Sequence, residues 1–132
     1  MRLIPGKTSL HSIIYYIVNP DEVIKIVENA YPETCEEFKK IQNEQYGVFC
    51  KKQHDYGPHN ISLGSDLHKK EDIQASISAI VVRLNDKIQR LINLVLRKKT
   101  FETANEPIFD AFSDTAVYCI IAEIVKRKKW CK

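Results

Sequence analysis

The sequence has few residues that interrupt regular structure. Only four glycines and five prolines occur among its 132 residues, and long stretches contain neither. A β architecture needs tight turns at short intervals, and those turns draw heavily on glycine and proline. Their scarcity favours helices, so the predicted fold class is all-α, a bundle of four or five helices. The length suits one domain, and residues 1–132 are predicted to form it.

Cysteines and long apolar runs are also scarce, and the net charge is small. The four cysteines lie far apart with no C-x-x-C pair, which predicts free thiols in a reducing cytosol and no zinc site or disulfide framework. The apolar run Ile13–Val18 is too short to span a bilayer, so a cytoplasmic protein with no membrane partner is expected. A net charge of +3 does not argue for nucleic acid, and no sequence-specific nucleic-acid partner is expected.

Several catalytic signatures are missing as well. The sequence has no G-x-S-x-G elbow, no cysteine in an activating setting and no glycine-rich phosphate loop. His54 and His59 are five residues apart across a turn, which is poor geometry for zinc. Nucleophilic catalysis and zinc chemistry therefore have little support.

Helix-start signals divide the first half of the chain. Asn19-Pro20 joins a capping residue to a proline at the first helical position, which predicts a helix to about Asn29. Tyr31-Pro32 should end it, since the residue before proline resists helical geometry. A T-x-x-E capping box at Thr34 predicts a second helix to about Gln53.

A long apolar seam marks the next helix, predicted from Asp72 to about Lys98 after a polar connection over residues 61–71. The seam residues recur at steps of three and four: Ile73, Ile77, Ile80, Leu84, Ile88, Leu91 and Val95. Apolar residues beside the seam widen it, which predicts a subunit interface and a homodimer or higher homo-oligomer. Helical apolar spacing over residues 10–17 favours one further helix, although the β-branched and aromatic run Ile13–Val18 would also suit a short strand.

The last predicted helix carries acids at intervals of four. It should begin at Asn105-Glu106-Pro107 and end near Lys129. Glu106, Asp110 and Asp114 would then stand one above another, and like charges at that spacing repel. A divalent metal or a set of arginines would compensate them; the alternative is a solvated acidic stripe.

The long helix before it carries a mixed-charge stripe, made of Arg83, Asp86, Lys87 and Arg90. If the two stripes face each other, four carboxylates would form a cluster suited to Mg²⁺ or Mn²⁺. These predicted metal ligands are Asp86, Glu106, Asp110 and Asp114. The cations would bind phosphate; the alternative is a salt-bridge network or surface ion pairs, such as Asp86 with Arg90.

The densest polar segment is HDYGPHN, residues 54–60. Tyr56 could stack on a nucleobase, and Asn60 could read base edges through its donor and acceptor groups. Asp55 could add a carboxylate to the metal cluster or make a turn before Gly57-Pro58.

Three strings in this order resemble the nucleotide modification associated domain family of phages and bacteria: KKQHDYGPHN, RLNDKIQRLINL and EPIFDAFSDTAVYCIIA. The resemblance covers residues 36–130 and leaves residues 1–32 as an N-terminal extension. It implies a role in phage nucleotide metabolism, and the host cytoplasm if the protein is phage-encoded.

The same pattern is similar to the all-α nucleoside triphosphate pyrophosphohydrolases of the MazG and dimeric dUTPase type. Those enzymes bind magnesium with E-x-x-E on one helix and E-x-x-D on a neighbouring helix. This chain departs from them, because only Asp86 stands where two glutamates are expected and the last helix spaces its acids by four.

The resulting hypothesis is a Mg²⁺- or Mn²⁺-dependent nucleotide pyrophosphohydrolase-like enzyme. Its predicted catalytic residues are Asp86, Glu106 and Asp110. Its predicted ligand-binding residues are Lys52, Asp55, Tyr56, Asn60, Arg83, Lys87 and Arg90. The alternatives are a non-catalytic protein that sequesters a nucleotide, for example from a host defence enzyme, and a helical interaction module whose polar stripes are ion pairs.

Overall fold

The computed structural model describes residues 19–132, which contain five α-helices, one π-helical segment and no strand. The helices are α1 (Pro20–Ala30), α2 (Pro32–Tyr56), α3 (His59–Ser62), α4 (Lys70–Leu91) and α5 (Ile108–Lys126), and the π-helical segment Ile92–Arg97 continues α4. The all-α prediction is confirmed. The helix predicted over residues 10–17 lies outside the described residues. None of the described helices is long and apolar enough to cross a membrane.

The first two helices meet at a single residue, Tyr31. The Asn19 side chain caps α1 by accepting a hydrogen bond from the Asp21 backbone N–H at 2.9 Å, as predicted. The predicted start of α2 at Thr34 is wrong, because α2 begins at Pro32. The Tyr31 carbonyl accepts a hydrogen bond from the N–H of Cys35, 3.1 Å away, and this bond closes the first turn around a proline that has no N–H to satisfy.

Internal contacts divide the chain into two units, residues 1–43 and 44–132. Among the described residues of the first unit no side chain is buried, although α1 is amphipathic. Val23, Ile26 and Val27 remain at least two-fifths exposed. An ion pair of 3.0 Å joins Lys39 to Glu28. The prediction of a single domain over residues 1–132 stays a prediction.

The second unit contains the hydrophobic core. Its buried cluster consists of Ile61, Leu67, Ile80, Ile121, Val125 and Trp130. Four residues of the predicted α4 seam, Ile73, Ile77, Ile80 and Leu84, belong to this core or pack against it. This part of the seam therefore serves packing within its own chain and is not a free surface for a second subunit.

The segment after α2 differs from its prediction as a polar connection. Ile61 and Leu67 are each only 2% exposed, and α3 forms within the segment. Leu63, Gly64 and Leu67 all have positive φ, which folds the chain tightly enough to return both side chains to the core. The predicted turn formers are present, but the segment also contributes to the hydrophobic core.

Candidate functional site

The polar segment after α2 is anchored by three side-chain donors. Gly57 has φ +68°, a left-handed conformation that suits glycine and lets the chain leave α2. The three bonds run from Ser76 Oγ to the Ile61 carbonyl at 2.6 Å, from Arg83 Nη2 to the Asn60 carbonyl at 2.8 Å, and from Trp130 Nε1 to the Pro58 carbonyl at 3.1 Å. Because the donors come from α4 and from the C-terminal turn, they fix the backbone that carries Asn60.

A cleft lies beside this segment, between α2, α3 and α5. Its wall is mainly apolar and includes Phe49, Ile61, Val117, Tyr118 and Ile121. Its polar lining includes Lys52, Tyr56, Asn60 and Asp114. The enclosed volume is about 60 Å³, below the roughly 300–1,000 Å³ of a pocket that surrounds a whole small molecule. As it stands, the cleft would enclose only part of a nucleotide.

A charge cluster, formed by Lys52, Asp114 and Lys87, stands beside the cleft. Lys52 Nζ on α2 lies 2.9 Å from Asp114 Oδ1, and Lys87 Nζ on α4 lies 2.8 Å from Asp114 Oδ2. The side chain of Asp114 is 20% exposed, that of Lys87 27% and that of Lys52 51%. One carboxylate on α5 therefore links two other helices and leaves the cluster with one excess positive charge.

The cluster shifts the pKa of all three groups. The hydrogen bond to Asp114 raises the pKa of both Lys52 and Lys87, against a smaller opposing effect of burial. Burial by itself would raise the pKa of Asp114, but the hydrogen bonds from Lys87 and Lys52 and their charges outweigh it, so this pKa is lowered. All three groups are therefore charged at neutral pH.

Glu106 does not stand on the helix with the other acids, so this part of the prediction is wrong. Helix α5 begins at Ile108, and the cap residue Pro107 has extended backbone angles, φ −51° and ψ 143°. Arg90 donates to the carbonyls of both Glu106 and Pro107, which ties this extended segment to α4. Only Asp110 and Asp114 keep the predicted spacing on α5.

The predicted metal ligands do not converge. Asp86 and Asp110 are exposed and form no ion pair within residues 19–132, and the predicted pair of Asp86 with Arg90 is absent because Arg90 contacts backbone carbonyls. Both oxygens of Asp114 already accept from lysines. In the described part of the chain no three acidic, histidine or cysteine side chains are placed to hold an ion together. Mg²⁺ or Mn²⁺ at these acids stays a prediction without a preassembled ligand set.

The predicted ligand-binding residues divide into two groups. Lys52, Tyr56 and Asn60 come together in the cleft, and Lys87 reaches it through Asp114. The other three do not line the cleft. Asp55 is exposed and shares a 3.0 Å hydrogen bond with His54, Arg83 stands 5.8 Å above the ring of Tyr118, and Arg90 binds the segment before α5.

Sequence reasoning missed the aromatic wall and the anchors of the cleft. Tyr118 lies four residues after Asp114, a spacing that places both on one face of α5 and would have pointed to it. Trp130 gave no such signal, since its contacts with Phe49 and the Pro58 carbonyl join distant parts of the sequence. The Asn60 Oδ1 atom is buried and has no hydrogen-bond partner among residues 19–132.

Comparison with known proteins found no match to a family model, to a curated protein or to a solved structure. The function of the cleft is therefore inferred from its own side chains.

Proposed function

We propose that the protein binds a nucleotide, with phosphate at the Lys52–Asp114–Lys87 cluster and the base or ribose in the adjoining cleft. The observation that carries the proposal is the pair of lysines that share one carboxylate at an aromatic-lined cleft. The resemblance to nucleotide-related families is a separate argument in the same direction.

The charge cluster has free capacity for an anion. Each lysine ammonium has three N–H donors, and each uses one of them on Asp114. The remaining donors, together with the excess positive charge, suit phosphate oxygens. Asp114 fixes the directions of Lys52 and Lys87, so less side-chain entropy is lost when the phosphate binds.

The cleft offers surfaces that suit a nucleobase. Tyr118 and Phe49 provide apolar ring surface in the wall, and Tyr56 is two-thirds exposed and free to cover a bound ring. The carboxamide of Asn60 supplies both a donor and an acceptor for a base edge or a ribose hydroxyl. A base stacked on these rings would remain partly open to solvent, in keeping with the small enclosed volume.

Binding without hydrolysis is the function we propose first. Phosphoryl chemistry of the pyrophosphohydrolase type relies on a metal held by several carboxylates, and the acids of this chain are dispersed or paired with lysine. Hydrolysis is the second candidate, favoured by the resemblance to the all-α pyrophosphohydrolases. In that case the nucleotide phosphates would bring Mg²⁺ to the acids of α5.

Isothermal titration calorimetry with a panel of nucleoside mono-, di- and triphosphates and cyclic dinucleotides, with and without Mg²⁺, tests the proposal. We expect saturable binding of at least one nucleotide. Lys87→Ala should raise its Kd by about tenfold or more, because a charge-assisted hydrogen bond of about 1.5–3 kcal/mol is lost. Lys39→Ala is the matched control, since Lys39 pairs with Glu28 far from the cleft in sequence and should leave the Kd unchanged.

The same samples distinguish binding from cleavage. Mass spectrometry of the ligand after incubation should return it intact if the protein only binds, whereas pyrophosphate release would favour the second candidate. If no nucleotide gives heat or raises the melting temperature at concentrations well above those in cells, the proposal is wrong.

A further inference from the structure

The positive charge that the proposed site offers to a ligand is limited. The charge cluster contains two lysines and one carboxylate, so its excess is one positive charge. Two arginines of α4 stand nearby, but Arg83 and Arg90 both donate to backbone carbonyls, and neither lines the cleft. The ammonium groups of the two lysines are therefore the cations that the site offers to a phosphate.

The cleft lies on one side of the charge cluster along α5. The residues of this helix that line the cleft are Ser113, Asp114, Val117, Tyr118 and Ile121. Ile121 comes seven residues after Asp114, which corresponds to about 10 Å along a helix. In the proposed binding mode, the base therefore lies towards the C-terminal half of α5, and the phosphate next to it meets the cluster at Asp114.

Carboxylates stand on the opposite side of the cluster. Asp110 precedes Asp114 by one turn on the same face of α5, a spacing at which Cβ atoms are about 5–6 Å apart. The hydrogen bond to Asp114 is the largest influence on the pKa of Lys87, and the negative charge of Glu106 also raises that pKa, so Glu106 lies near this lysine. Within residues 19–132 neither Glu106 nor Asp110 forms an ion pair. Arg90 offsets one of their two charges, so this side keeps a net negative charge.

We propose that the site is selective for nucleotides with a single phosphate, the nucleoside monophosphates, because the acids beyond the cluster repel further phosphates. The inference rests on the proposed nucleotide-binding function and specifies the ligand class of the same site. A phosphate monoester carries a charge of about −1.5 to −2 at neutral pH, which two lysines that share one carboxylate largely meet. The second and third phosphates extend away from the base, towards Asp110 and Glu106, where like charges oppose them.

The repulsion should be moderate in size. Asp110 is exposed, so water weakens the field of its charge. The Debye length is about 8 Å at an ionic strength of about 0.15 M, so charges one helix turn apart still interact through the salt. We therefore expect the site to discriminate severalfold between mono- and triphosphates and not to exclude triphosphates completely.

Isothermal titration calorimetry in the presence of EDTA tests the ligand class, because no divalent cation then screens the phosphates. For each base, the nucleoside is compared with its mono-, di- and triphosphate. We expect the monophosphate of the preferred base to bind at least about fivefold more tightly than its triphosphate. The nucleoside should bind at least about tenfold more weakly than the monophosphate, because it lacks the group that the lysines contact.

Replacement of the two acids tests the cause of the selectivity. In Glu106→Gln with Asp110→Asn, the ratio of the triphosphate Kd to the monophosphate Kd should fall at least about threefold, because the repelling charges are removed. Glu71→Gln with Asp72→Asn is the matched control, since it removes two acids from the first turn of α4, about 22 Å or more along the helix from Lys87, and should leave the ratio unchanged. Both Kd values come from the same protein, so a loss of folded protein does not alter their ratio.

The outcomes separate the ligand class from the proposed function. A triphosphate that binds as tightly as the monophosphate in EDTA, or more tightly, overturns the inference and leaves nucleotide binding intact. An unchanged ratio after removal of both acids overturns it as well, since the selectivity then has another origin. If no nucleotide binds at all, the proposed function is wrong and the ligand class falls with it.

Discussion

Asp114 connects three helices although it is a single, partly buried carboxylate. It accepts hydrogen bonds from Lys52 on α2 and Lys87 on α4, and it lines the cleft. Exposed ion pairs contribute little to stability, but this carboxylate is largely screened from solvent and serves two partners at once. Its effect on stability should therefore be measurable and should depend on pH.

We expect Asp114→Asn to lower the free energy of unfolding by about 1 kcal/mol at pH 7, since both ion pairs are lost while one weaker hydrogen bond can remain. Asp110→Asn is the control, because Asp110 is exposed on the same helix and should change stability by less than about 0.5 kcal/mol. Urea unfolding followed by circular dichroism measures both. Equal effects of the two substitutions would contradict the assigned role of Asp114.

The difference in stability between the unmodified chain and Asp114→Asn should depend on pH, and its direction follows from the pKa shifts. The pKa of Asp114 is lowered in the folded state, so its contribution is complete above the unfolded pKa of about 3.9 and is lost as pH falls through the folded pKa. The pKa values of Lys52 and Lys87 are raised, so their contribution is complete below about 10.4 and is lost as pH rises through the folded values. The stability gap between the unmodified chain and Asp114→Asn should therefore narrow in acid and at high pH.

The sequence predicted which residues lie at the cleft better than it predicted the contacts between them. Lys52, Tyr56, Asn60 and Asp114 meet in the cleft. A salt bridge from Lys87 to the acids of the last helix was present only as an alternative. The pairing of Lys52 with Asp114 was not predicted, because packing that local spacing does not report brings these residues together from 62 positions apart. The prediction for Glu106 was wrong because Pro107 is extended and α5 begins only at Ile108, two residues after Glu106.

Among the elements, α2 has an unusual interior glycine. Gly47 lies within this 25-residue helix, and a Cβ placed on it would meet no atom within 4 Å. Glycine in a helix interior costs about 0.5–1 kcal/mol relative to alanine, because it loses more backbone entropy on folding. Here no close packing explains its presence.

Gly47→Ala should therefore stabilise the protein by about 0.5–1 kcal/mol and raise the melting temperature. Gly57→Ala is the contrasting variant. A Cβ on Gly57 would also meet nothing within 4 Å, but its φ of +68° makes any side chain strained, so about 1 kcal/mol of destabilisation is expected. Thermal unfolding of the two variants side by side separates helix propensity from backbone strain. A shift of the melting temperature in the same direction for both variants would contradict this explanation.

The helices themselves were largely predictable, because α1, α2 and α5 carry start signals and α4 carries a long seam of helical apolar spacing. The errors fall where two signals compete. The T-x-x-E box at Thr34 is a valid start signal, yet Pro32 already satisfies the first turn and the helix begins there. Residues 61–71 looked polar by composition, but the positive φ values of Leu63 and Leu67 return apolar side chains to the core.

For the molecule as a whole, burial is distributed unevenly between the two units. The described residues of the first unit include no buried side chain, whereas α4 and α5 in the second unit supply much of the core. Local opening is easiest where few apolar contacts are broken. Helices of about a dozen residues are also marginal without packing.

Hydrogen–deuterium exchange should therefore be faster in α1 than in the core helices of the second unit. Backbone amides of α1 are expected to exchange at least about tenfold faster than those in the middle of α4 and α5. Peptide-level mass spectrometry over a time course measures this. Protection of α1 equal to that of α5 in dilute solution would contradict the expectation. Protection that appears only at high concentration would mean that a second molecule covers α1.

The position of Trp130 determines the intrinsic fluorescence of the protein. It is the only tryptophan in the sequence, it is 5% exposed, its indole N–H donates to the Pro58 carbonyl, and its ring lies edge-on to Phe49 with centroids 6.3 Å apart. Phe49 lines the cleft. All indole fluorescence thus comes from one fluorophore beside the cleft wall. Its emission should therefore change when the second unit unfolds or when a ligand fills the cleft, without any added label.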